Sequence, residues 1–148
     1  MYKHTQIGWP WLVVLGVLIL FFVYGAYVGI LYPYWIPLIC ILLLIAVCMI
    51  IFPSLTVTGD DDLIEVRFTP GLIKKKFRFE EIESARPVRN RWWYGWGIRK
   101  IPGGWLFNVA GLDAVELLMK NGRIYRIGTD EPQILSEFIQ RKLNEGKE

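Results

Sequence analysis

The sequence predicts an α+β membrane protein, a two-helix transmembrane hairpin followed by an antiparallel β-sandwich or barrel that a C-terminal helix closes. Three observations carry this prediction. No charged residue lies between Thr5 and Gly59, and two long apolar runs fill most of that interval. From Ser54 onward apolar and polar residues alternate with period two, the mark of half-buried strands. The last segment then changes to the spacing of an amphipathic helix.

A helix needs roughly 20 apolar residues to cross a hydrocarbon core about 30 Å thick. Residues 9–31 meet that length and residues 36–52 stand near its lower limit. Backbone at that depth must satisfy its own hydrogen bonds, so both runs are predicted as helices. The first run is longer than the apolar region of a cleaved signal peptide, about 7–15 residues, and no small-x-small cleavage site follows it. Tyr32-Pro33-Tyr34-Trp35 links the runs, and Pro33 and Pro37 break helix continuity there, which predicts a tight turn.

Two crossings return the chain to its starting side. Lys3 precedes the first helix, sequence rich in Arg and Lys follows the second, and the turn contains neither. The positive-inside rule therefore predicts a multi-pass protein of the plasma (inner) membrane with both termini in the cytoplasm. Trp9, Trp11, Tyr32, Tyr34 and Trp35 stand where aromatic rings settle in the headgroup layer.

Gly25-Ala26-Tyr27-Val28-Gly29 has the G-x-x-x-G spacing that lets a second backbone approach closely. Packing of Gly25 and Gly29 on the other helix is one reading, and self-association into a homo-oligomer is the other. Cys40 and Cys48 lie too far apart along one helix to bridge, so they are expected to pack. Without a Cys/His cluster or a C-x-x-C, neither a disulfide scaffold nor a metal site is expected.

The 148 residues thus divide into a membrane hairpin, 1–53, and a soluble domain, 54–148. In the latter Ile64, Val66 and Phe68 alternate with Glu65, Arg67 and Thr69, and Phe77 and Phe79 with Lys76, Arg78 and Glu80. Trp105, Phe107 and Val109 share one face of a strand, and Val115, Leu117 and Met119 share another. Asp60-Asp61-Asp62, Pro70-Gly71, Pro102-Gly103-Gly104 and Asn121-Gly122 are turn signals, the last suggesting a type I′ hairpin. About seven antiparallel strands result. In the final segment Asp130 and Gln133 have capping-box spacing, with Pro132 in the first turn. Ile134, Leu135, Phe138, Ile139 and Leu143 then form one apolar stripe.

The order of these elements resembles a pleckstrin-homology-like (PH-like) domain of the small bacterial type found behind transmembrane helices. Phe77-x-Phe79-Glu80-Glu81-Ile82 and the hairpin-then-helix close from Leu117 to Leu143, through Ile127-Gly128-Thr129-Asp130-Glu131-Pro132, carry the resemblance. It implies a bent sheet sandwich with a helix plugging one end, Phe138 and Ile139 burying against Phe68, Phe77 and Phe107. PH domains that hold phosphoinositides do so with basic residues around the loop joining their first two strands. Here that loop is expected at Gly59-Asp60-Asp61-Asp62, whose charge repels phosphate.

Residues 84–112 contain Arg86, Arg89, Arg91, Arg99 and Lys100 and no acidic residue. Within them Arg91-Trp92-Trp93-Tyr94-Gly95-Trp96 packs four large aromatics into a short loop. Trp prefers the bilayer interface, and each Lys or Arg gains about 1 kcal/mol near anionic lipid, so a membrane-lipid contact is one reading. A docking surface for a protein partner is the second, because Trp and Arg are common interface anchors. Packing of Trp93, Trp96 and Trp105 under a long loop is the third. Trp96 is expected to be buried, Trp92 and Trp93 partly exposed.

No nucleic-acid motif is present, and no nucleic-acid partner is expected. His4 is the only histidine and stands beside the N-terminus without evident partners, and neither a nucleophile elbow nor a phosphate loop occurs. The expectation is a non-enzymatic adaptor without cofactor or metal, presenting a cytoplasmic surface to a protein partner, with a lipid-contacting module as the alternative.

Overall fold

Residues 2–7, ahead of the first apolar run, form a strand in the structure, a computed structural model. It describes residues 1–29, 34–51, 54–69 and 71–146, with the side chains of 48–51 outside that set. Strand β1 (Tyr2–Ile7) pairs antiparallel with β2 (Ser54–Gly59), in register from Ile7 against Ser54 to Tyr2 against Gly59. Everything between them, α1 (Trp9–Tyr27) and α2 (Trp35–Ile51), is the connection of one strand pair. The expected division at residue 54 therefore cuts a sheet. The β-domain is built from residues 2–7 together with residues beyond 53.

Helix α1 spans 19 residues, about 28 Å at 1.5 Å rise, and is long and apolar enough to cross a bilayer. Its apolar side chains are mostly exposed all round, as a helix surrounded by an apolar medium requires. Helix α2, at 17 residues, falls short of that length, and the two helices lie in contact. Helix α1 ends before residue 31. Val28 caps it, and Gly29 turns left-handed at φ 72° with open space around it. So Gly25 is buried, but Gly29 terminates the helix rather than packing it. Cys40 is exposed on α2, not packed. The expectations at Tyr32, Pro33 and the Cys48 side chain fall outside the described residues.

Strands β3 (Leu63–Phe68) and β4 (Ile73–Arg78) continue β1 and β2 into a four-stranded meander. The second sheet comprises β5 (Ile82–Arg89), β6 (Gly97–Ile101), β7 (Gly104–Asn108), β8 (Asp113–Met119) and β9 (Ile124–Gly128), in the order β5-β8-β9-β7-β6. Strand β9 inserts between β7 and β8, which run in opposite directions. It is antiparallel to β8 and hence parallel to β7. The expected seven antiparallel strands are thus nine among the described residues, with one parallel pair. The two sheets stay separate instead of closing a barrel.

The hairpin turn at Asn121-Gly122 is also of another kind. Only Gly122 has positive φ, its N–H bonds to the Met119 carbonyl at 2.8 Å, and the Asn121 side chain accepts from the Arg123 N–H. That is a three-residue loop ending in a left-handed glycine, not a type I′ turn.

The core lies between the sheets. Leu55, Val57, Ile64, Val66, Phe68 and Phe77 face Phe107, Val115, Leu117, Met119 and Ile127. Helix α3 (Pro132–Glu145) covers the flank with Leu135, Phe138 and Ile139. Phe138 and Ile139 join Phe68, Phe77 and Phe107 in one buried cluster. Within it the Phe138 ring stacks on Tyr2 at 5.5 Å and edges onto Phe79 at 6.3 Å, so the N-terminal strand supplies part of its seat. Gly59 makes room for it, because a Cβ there would collide with the Phe138 ring. Asp130 does not cap α3; its carboxylate is turned to His4.

Candidate functional site

The register places the ends of the domain. Ile7 and Ser54 flank the helices, Thr69 donates its N–H to the Ser54 carbonyl, and Gln6 donates to the Ala110 carbonyl at 3.2 Å. The helix-proximal end therefore gathers the β3–β4 turn, the β7–β8 loop and the start of the β5–β6 segment, where the Asn90 N–H bonds to the Leu112 carbonyl at 2.7 Å. The Asp60–Asp62 turn, the β8–β9 hairpin and the end of α3 lie opposite.

Strands β5 and β6 are the two outer strands of the second sheet, so residues 90–96 must cross it. Four strand spacings of about 4.8 Å make that crossing about 19 Å, most of what seven residues can reach. The segment is a strap, and a buried polar group holds its beginning. Glu116 on β8, only 4 % exposed, accepts from Arg86 at 2.6 and 2.9 Å and from Arg126 at 2.8 Å. Arg126 also donates to the Asn90 side chain at 3.2 Å, tying the strap to the sheet. Burial alone would push the Glu116 carboxyl up, but the hydrogen bonds and charges of Arg86 and Arg126 outweigh it and hold the carboxyl below its ordinary value.

At the other end of the strap Trp96, half-buried, meets Trp11 in the first turn of α1, ring centroids 6.4 Å apart. Between these fixings a single 3-10 turn, Trp92–Tyr94, exposes Trp92 at 76 % and Trp93 at 57 %. The Arg91 guanidinium lies over the Trp93 ring at 5.1 Å, and Tyr94 edges onto Trp93 at 6.3 Å, half-buried.

The basic residues of residues 84–112 are therefore not equivalent. Arg86 is engaged by Glu116, and Arg99 donates to the Trp96 carbonyl at 3.1 Å. Lys100 stands on β6 opposite Trp105, away from the strap's exposed rings. Arg89 and Arg91 are exposed and have no ion pair among the described residues, although Asp113 faces Arg89 in register. Asn90, Glu116, Arg126 and Trp11 were not anticipated as part of this site. The pairing of β5, β8 and β9 assembles three of them, and only the Trp11 ring had a sequence signal.

Two other placements differ from expectation. His4 is not without partners, since its Nε2 lies 2.6 Å from Asp130 and its Nδ1 3.4 Å from Glu131. The aspartate turn is spanned rather than bare, Asp61 pairing with Lys142 at 2.9 Å and Lys142 in turn with Glu145. That pair borders an open groove of about 790 Å³ at the end away from the helices, floored by Leu63, Phe79, Ile82 and Leu143. No grouping of three His, Cys, Asp or Glu side chains suited to a metal occurs among the described residues. No protein-family model, curated protein or solved structure matches the chain.

Proposed function

We propose that the protein is a non-enzymatic adaptor of the PH-like kind. Its two helices cross the plasma membrane as a hairpin and hold the β-domain on the cytoplasmic face. The observation that carries this reading is the pairing of Ile7 with Ser54. Strands that flank the helices and sit side by side require the chain to leave and return at one place. A second crossing by α2 satisfies that, with both termini on the side the positive-inside rule makes cytoplasmic. The four-stranded meander and the C-terminal helix support the PH-like likeness, and the parallel β7–β9 pair is this chain's departure from it.

An adaptor needs a surface directed away from its anchor. The groove bordered by Asp61, Lys142, Glu80 and Lys120 has that position, with an apolar floor and charged walls suited to a protein segment. A photo-reactive phenylalanine placed at Glu80 or Lys120 of the full chain, activated in intact cells, is expected to yield one defined protein adduct. The same residue at Lys100 is expected to yield none. No adduct at either groove position, or an equal one at Lys100, would overturn the groove as the docking surface.

A further inference from the structure

We propose that the helix-proximal end of the domain is a basic-aromatic collar that binds the anionic phospholipid surface and so fixes the domain's tilt. The inference rests on the anchoring by α1 in the reading above, and not on any protein partner. Two separate segments build the collar around the helix ends. The first is the strap. Trp96 rests against Trp11 where α1 begins, so the exposed rings of Trp92 and Trp93, beside Arg91, lie close to where α1 enters lipid. Trp92 and Trp93 bury little against the protein, and indole side chains partition to the headgroup layer.

The second segment is the β3–β4 turn. Thr69 bonds to Ser54, directly beyond α2, and Leu72 in the same turn is 74 % exposed. Next to it the outer face of the sheet carries a charge pattern the fold alone does not favour. Further from the helices Lys76 stands opposite Glu65 and pairs with it at 3.4 Å. One step nearer, Lys74 stands directly opposite Arg67, and neither has an ion pair among the described residues. Like charges directly opposite on adjacent strands destabilise a sheet. An anion shared between them removes that cost, and lipid phosphate is the anion found at this end of a membrane-anchored domain. Arg67, Lys74 and Arg91, together with exposed Leu72, Trp92 and Trp93, thus match an apolar layer topped by negative charge.

The test uses the full chain reconstituted in vesicles of phosphatidylcholine alone or mixed with phosphatidylglycerol, with lipids brominated near the headgroup. Quenching lost in the Trp92→Phe/Trp93→Phe variant measures the strap alone, since Trp9, Trp11, Trp35, Trp96 and Trp105 remain. That strap-specific quenching is expected to be strong with phosphatidylglycerol, weak without it, and reduced at high salt. Replacing Arg67, Lys74 or Arg91 by Gln should lower the docked-to-lifted ratio about fivefold each, while circular dichroism stays unchanged. Equal quenching in both lipids without salt dependence, or strap rings reached by aqueous iodide and not by brominated lipid, would overturn the collar. Because vesicles present both faces, this outcome does not depend on cellular topology or on the groove having a partner.

Discussion

Glu116 joins three strands of the second sheet, because Arg86 comes from β5 and Arg126 from β9. Arg126 is mostly buried and Arg86 mostly exposed, so the two bonds are unequal in worth. Glu116→Gln leaves Arg126 without its charge partner and is expected to cost about 3 kcal/mol in denaturant unfolding. Arg86→Gln removes a solvent-screened contact and should cost less than about 1 kcal/mol. The carboxyl is held below its ordinary 4.5, so the stability it supplies is present above that pH and is lost as pH falls through the folded value. Glu116→Gln should flatten that acid limb, and an unchanged limb would refute the assignment. Tyr2 gives the opposite sign. Burial, and after it the charge of Glu131, pushes its phenol from 10.0 up to about 12. The folded chain keeps a proton that the unfolded chain releases, so this contribution is complete below pH 10.0 and is lost toward about 12. Tyr2→Phe keeps the stack on Phe138 and should reduce the alkaline loss relative to wild type.

The element that decides the architecture is β1. It seats Phe138 through Tyr2, holds Asp130 and Glu131 through His4, and covers the edge of β2. A fragment of residues 54–148 lacks all three and is expected to aggregate or melt without cooperativity. Since Ile7 and Ser54 are paired in register, replacing residues 8–53 by Asn-Gly should close a two-residue hairpin and yield a soluble, cooperatively melting domain. A fragment as stable as the grafted domain would show that β1 is dispensable. The outer strands otherwise carry guards against pairing with other chains. Strand β4 has Lys74, Lys75 and Lys76 exposed, β5 contains Pro87, and β6 exposes Arg99 and Lys100. These features explain which elements were legible in the sequence. Strand β3 alternates cleanly, and α3 shows its stripe. Strand β1 is six residues long and pairs with a segment nearly fifty positions away, past the apolar runs, so no local pattern announces it. In β5 Pro87, Arg86 and Arg89 mask the alternation. The strap's composition was visible, but its tether to Glu116 depends on β9 inserting between β7 and β8, which periodicity does not encode.

For the molecule as a whole, charge is segregated more than it is abundant. The net value is +3, yet apart from Lys3 every Lys, Arg, Asp and Glu belongs to the sequence beyond Gly59. Folding sorts that charge again along the axis leading away from the helices. Arg67, Lys74, Arg89 and Arg91 lie toward the helices, whereas the opposite groove carries Asp61, Asp62, Glu80, Glu83 and Glu145 interspersed with Arg78, Lys120 and Lys142. The central claim is that the helices leave and re-enter at one sheet edge, so that domain and termini share one side of the membrane. It is tested by single cysteines at positions 34 and 145, in a chain with Cys40 and Cys48 replaced by Ala, probed with an impermeant maleimide. In intact cells whose outer barrier is opened, position 34 should label at once and position 145 only after lysis. Labelling of position 145 before lysis, or of position 34 only after it, would contradict the account.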